Sequence, residues 1–119
     1  MGPFIKLYVK CFEMPEILKI ITHAQLEHAM KRSYSQPVVI LVTTTGCYPC
    51  CYAESTIKSR AERSPHAYYA IIGSDTFPDV AKKYKIEYYP AYLLFRNGEL
   101  KNSAFGINLE KVDAFFNSF

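Results

Sequence analysis

Val38-Val-Ile-Leu-Val-Thr-Thr-Thr-Gly-Cys-Tyr-Pro-Cys50 decides how this chain folds. Its first five residues are apolar and all but Leu41 are β-branched, the pattern of a strand buried on both faces of an α/β sheet. Thr43-Thr-Thr-Gly46 leads out of that strand, and from about Pro49 to Arg63 the spacing turns helical. Cys47-Tyr48-Pro49-Cys50 therefore lies where a buried strand ends and a helix begins. Unpaired N–H groups and the positive end of the helix dipole stabilise a thiolate there. Such a placement lowers a cysteine pKa from about 8.5 into a range of roughly 3.5–7.5. Cys50, one turn on, is close enough to attack a mixed disulfide formed at Cys47. Pro49 sits where its missing N–H costs nothing.

The rest of the chain reads outward from this unit. Residues 4–12 alternate, with Ile5, Leu7, Val9 and Cys11 on one side and Lys6, Tyr8 and Lys10 on the other, predicting a half-buried strand. Pro15 breaks the chain, and Glu16–Ile21 reads as a second strand. Thr22 and Gln25 form a capping-box pattern for a helix to about Arg32, with Leu26, Ala29 and Met30 on one face. Ala67–Ile72 is a second core strand. Ser74 or Asp75 is positioned to cap a helix over Asp79–Tyr84. Pro90–Phe95 and Glu99–Phe105 flank Arg96-Asn97-Gly98, and Asn-Gly between apolar runs is a strong hairpin signal. A closing amphipathic helix covers Asn108–Phe119, with Leu109, Val112, Phe115 and Phe116 inward. The order β, β, α, β, α, β, α, β, β, α predicts an α/β fold. A mixed central sheet carries helices on both faces.

At 119 residues, half of them hydrophobic, the chain suits one domain with a packed core. A net charge of +3 from scattered Lys and Arg argues against a nucleic-acid groove, even with 10 Tyr and 8 Phe. No apolar run approaches the ~18 residues of a membrane span. Lys6 and Lys10 interrupt any secretory signal, and Lys6 stands where a myristoylation motif wants Ser or Thr. Three of the four cysteines fall within five residues, unlike a secreted disulfide framework. The expectation is a soluble, cytoplasmic monomer.

With these residues in view, the chain resembles the thioredoxin family over about residues 16–119, leaving 1–15 as an N-terminal extension. The extension would add an edge strand or pair with another molecule. The motif Cys47–Cys50, a proline before the hairpin strand at Pro90 after Tyr89, the hairpin glycine Gly98, and Gly106 beside the site all fall in register. The resemblance implies a thiol–disulfide oxidoreductase acting on protein disulfides, with Cys47 attacking and Cys50 resolving. It implies a cis bond at Tyr89–Pro90, with Pro90 packing against the disulfide and the backbone around Tyr89 pairing with an extended substrate. Gly46, Tyr48, Pro49 and Gly106 complete the substrate site. A reductase or glutathione would supply electrons, with no bound cofactor.

Four positions depart from the family pattern. Gly46 replaces the usual Trp, Leu41 the buried Asp that assists proton transfer at the resolving cysteine, Cys51 a basic residue, and Ser55 the helix-kinking proline. A leucine takes no proton, so that step would slow or rely on water. Cys51 reads as a small helix residue or as an accessory thiol. No metal is expected, because Cys47, Cys50 and Cys51 supply three ligands where a structural zinc needs four. His23, His28 and His66 lie away from the motif. The rival to catalysis is a non-catalytic module that binds a peptide by strand addition. A metal or cluster carrier is a third reading.

Overall fold

The computed structural model describes residues 17–119. The predicted strand over 4–12, and with it Cys11, lies outside the described residues. Thr22 and Gln25 form the expected capping box. Gln25 N donates to Thr22 Oγ1, and Thr22 N to Gln25 Oε1, each at 3.1 Å. Together they start α1 (His23–Arg32).

Five strands form one mixed sheet: β1 (Leu18–Lys19), β2 (Val38–Thr43), β3 (Tyr68–Gly73), β4 (Ala91–Arg96) and β5 (Glu99–Phe105), in the order β1-β3-β2-β4-β5. β3 runs parallel to both β1 and β2, and β4 runs antiparallel to β2 and β5. The five-residue apolar run of β2 thus occupies the middle of the sheet and is buried along its length. The helices α2 (Tyr48–Arg63) and α4 (Leu109–Phe116) cover one face, where Leu41, Ile71, Tyr92, Ala53, Ile57, Val112 and Phe115 share a core. α1 and α3 (Pro78–Lys83) cover the other, over Ile40, Ile72, Leu93 and Phe95. Alternate residues of the buried strands serve opposite cores, as the pleat requires.

Three expectations need correction. Of the strand predicted over Glu16–Ile21, the ladder among the described residues holds Leu18 and Lys19, with Ile17 and Ile20 flanking it in opposite cores as the pleat alternates. α3 begins after Phe77 without a side-chain cap. Asp75 accepts instead from Thr45, and Ser74 Oγ donates to Thr44 Oγ1 at 2.8 Å. Leu109 is 75% exposed, because it is the first residue of α4, with Asn108 capping Lys111 N beneath it.

Candidate active site

β2 delivers the chain to the C-terminal edge of the parallel strands, and the sequence there turns sharply. Gly46 adopts φ +77°, a backbone conformation that L side chains rarely accept, and a Cβ there would meet only open space. Cys47 is the N-cap of α2, with Pro49 in the first turn. Cys47 N donates to Thr44 O at 3.3 Å and Cys50 N to Cys47 O at 3.2 Å, closing the first turn around the pair. Cys47 and Cys50 form a disulfide with Cα atoms 5.4 Å apart. The pair is asymmetric. Cys47 is half-buried, and Cys50, facing the core, is 4% exposed. Cys51 is half-buried on α2 and is not a free thiol in this oxidised state.

The topology brings the second part of the predicted site to the same edge. Val42 pairs with Ala91, so Pro90 lies beside the end of β2. The Tyr89–Pro90 peptide bond is cis. Ala91 in turn pairs with Phe105, and Gly106 N donates to Pro90 O at 2.7 Å. Gly106, at φ +79°, stands in open space like Gly46. The loop after β3 anchors the approach to Cys47. Ser74 N donates to Thr43 O at 2.8 Å, and the Asp75 carboxylate accepts from both Thr45 N and the Thr45 hydroxyl.

Exposed aromatic side chains lie within the motif, one turn after it on α2, and just before Pro90. Tyr48 is 77% and Tyr52 63% exposed, meeting edge to face one helical turn apart. Tyr88 is exposed as well. Tyr52 opens onto a groove of about 600 Å³ between α2 and α4, lined also by Ser55, Thr56, Ile107 and Leu109. Tyr92 is buried beneath that groove. Burial pushes its phenol up to about 12, with a Thr56 hydrogen bond and the Arg60 charge pulling the other way.

Among the described residues, strands β1 to β4 carry no acid. One row of partners runs Lys19, Ile71, Leu41, Tyr92, Ala104 across the five strands. Its centre is aliphatic. On this face Lys19 at the sheet edge and Glu54 on α2 are paired at 3.3 Å. Sequence reasoning missed both Glu54 and the Asp75–Thr45 anchor. The spacing of Glu54 four residues after Cys50 was the available signal. Each histidine packs edgewise or tilted on an aromatic ring, His23 on Phe77, His28 on Tyr68 and His66 on Phe119. Among the described residues no group of three or more His, Cys, Asp or Glu is disposed to hold a metal.

Fold, disulfide and neighbouring loops define one class of protein. The family model described as Thioredoxin matches residues 17–117, and the chain belongs to the thioredoxin family. It is 31% identical over 77 residues to Thioredoxin-2 of Pyricularia oryzae, covering 65% of this chain and 45% of that protein. It is 28% identical over 91 residues to Thioredoxin H2-2 of Oryza sativa subsp. japonica, covering 76% of this chain and 68% of that protein. Among solved structures, thioredoxin NaTrxh of Nicotiana alata superposes with a TM-score of 0.77 at 18% identity, covering 88% of this chain and 93% of that one. The match spans less than half of the fungal relative's length.

Proposed function

We propose that the protein is a thiol–disulfide oxidoreductase that exchanges disulfides with protein substrates through Cys47 and Cys50. The observation that carries this reading is the Cys47–Cys50 disulfide at the N-terminus of α2 in a thioredoxin-family chain. Reduced Cys47, the more exposed of the two, attacks the substrate disulfide as a thiolate. The helix N-terminus favours that charge. Cys50 then attacks the mixed disulfide and releases the reduced substrate. An extended substrate lies along Tyr89 and Pro90, with Gly46, Tyr48, Pro49 and Gly106 around it. Both glycines leave backbone space for its approach. Exposed Tyr48, Tyr52 and Tyr88 supply amphipathic contact area of the kind favoured at protein interfaces.

The reading extends to a reductase or glutathione as electron donor, without a bound cofactor. It assigns the site to a domain over 16–119, with 1–15 as an extension, and the protein to the cytoplasm as a monomer. Among the described residues no helix is long and apolar enough to cross a membrane.

The test is the redox equilibrium of the pair in graded glutathione or dithiothreitol buffers, with insulin reduction alongside. A potential near or below about −230 mV, with turnover lost in Cys47→Ser, supports a cellular reductant. The aliphatic centre of the sheet favours one second reading, a non-catalytic module holding a partner peptide in the same groove. A disulfide that forms reversibly without insulin turnover would select that reading.

A further inference from the structure

Resolution of the mixed disulfide needs a proton acceptor for Cys50, since the thiolate is the attacking species. Cys50 is 4% exposed, and β2 beneath its helix offers Val39 and Leu41, which take no proton. The requirement is met elsewhere on α2. Glu54 is one helical turn after Cys50, a spacing that sets Cβ atoms about 5–6 Å apart on one face. That face is the inner one, because Cys50 and Ile57 on the same stripe are buried. Side chains on a helix tilt toward its N-terminus, so the Glu54 carboxylate leans back over the turn of Cys50. Its side chain is only 14% exposed. Lys19 Nζ meets Oε1 at 3.3 Å, fixing the carboxylate on the sheet side of α2. A carboxylate's second oxygen can accept a further donor.

We propose that Glu54, held by Lys19, is the proton acceptor for Cys50, taking the part that Leu41 cannot play; the inference rests on the exchange reading above. In the resolving step the Cys50 thiol gives its proton to the Glu54 carboxylate. The Cys50 sulfur attacks Cys47 Sγ, the Cys47–Cys50 bond forms, and the Cys47–substrate bond breaks. The electron pair leaves with the substrate as a thiolate, which takes a proton from water or from Glu54. Two electrons pass from the cysteine pair to the substrate.

Other titratable groups around this face have different partners or positions. On β3, Tyr69 donates to Ser64 O at 2.8 Å, at the far end of α2. On β4, Tyr92 is held neutral by burial. Asp113 of α4 pairs with Arg60, nearly three turns beyond Cys50. Lys58 lies one turn past Glu54 and is cationic. Asp75, in the loop after β3, is exposed and engaged by Thr45. Glu62, an exposed acid near the C-terminal end of α2, is therefore the control.

The experiment reacts the fully reduced protein, in a Cys11→Ser/Cys51→Ser background that leaves Cys47 and Cys50 as its two thiols and serves as the wild-type reference, with dithiobis(nitrobenzoate) by stopped flow between about pH 6 and 9. The first thionitrobenzoate released reports attack by Cys47. A second release, absent in Cys50→Ser, reports resolution by Cys50. Glu54→Gln is expected to leave the first release unchanged and to slow the second at least about tenfold near neutral pH, a modest share of usual general-base effects. The deficit should close toward pH 9 as hydroxide replaces the carboxylate. Glu54→Asp should recover part of the rate, and Lys19→Met should fall between wild type and Glu54→Gln. Glu62→Gln should match wild type. A second release in Glu54→Gln with the wild-type pH profile, or a loss reproduced by Glu62→Gln, would overturn the assignment of Glu54. Absence of any Cys47-dependent release in wild type would instead overturn the exchange reading.

Discussion

Leu41 stands directly opposite Ile71 in the register of β2 on β3, so the sheet beneath α2 is aliphatic on both strands. An acid introduced at Leu41 would have no cation beside it. Leu41 is fully buried, and an uncompensated buried charge costs roughly 3–5 kcal/mol. Leu41→Asp should therefore destabilise the fold by about that amount near neutral pH. The loss should shrink in acid, where burial keeps the carboxyl protonated. Urea midpoints at two pH values check this. Equal midpoints for variant and wild type would show that this interface admits water.

Ser33 fastens the hairpin turn to the end of α1. Its hydroxyl accepts from Gly98 N at 2.8 Å and donates to Met30 O, while its carbonyl accepts from Asn97 N at 2.8 Å. Ser33 is the buried polar residue among the described core. Ser33→Ala leaves an amide without its acceptor, a loss of about 1–3 kcal/mol. A thermal melt should show the midpoint several degrees lower. An unchanged midpoint would mean that water takes over the Gly98 amide.

Gly46 links strand and helix at φ +77°. Any L side chain there costs about 1–2 kcal/mol, even though space is open. Gly46→Ala should lower stability by that amount, and Gly46→Trp, which restores the family's aromatic, should bear the same strain. Denaturant melts of both variants give the comparison. A Trp variant as stable as wild type would mean the turn re-forms with negative φ.

Tyr92 ties stability to alkaline pH. Its folded pKa of about 12 stands above the ordinary 10.0, chiefly because burial disfavours the phenolate. The unfolded chain releases this proton first as pH rises. The contribution is therefore complete below pH 10 and is lost toward pH 12, about 2–3 kcal/mol in all. Tyr92→Phe should flatten the fall in urea midpoint across that window. Tyr69, raised in the same direction by burial, leaves a residual slope.

Much of this arrangement was legible because local signals agreed with one another. The β-branched run Val38–Val42 could only be central, and Asn97-Gly98 fixed the hairpin, with Asn97 itself at positive φ. Thr22 and Gln25 announced α1 because a capping box is complete within four residues. What stayed illegible depends on partners distant in sequence. Asp75 looked like a cap for α3, yet Thr45, thirty residues away, takes its carboxylate. Leu109 fitted the apolar stripe of α4 but falls at its outer first turn. Glu54 was one more charged helix residue until the register of β1 on β3 set Lys19 beside it.

The unequal burial of the two motif cysteines turns one of them toward solvent and withholds the other. On the proposed exchange reading an incoming disulfide would meet Cys47 first, with Cys50 at 4% exposure behind it. A Cys50→Ser chain would therefore stay covalently attached to whatever it engages, and a Cys47→Ser chain would retain nothing. On that reading, the asymmetry that orders the two half-steps would make the substrate something that can be isolated by its bond to a single atom.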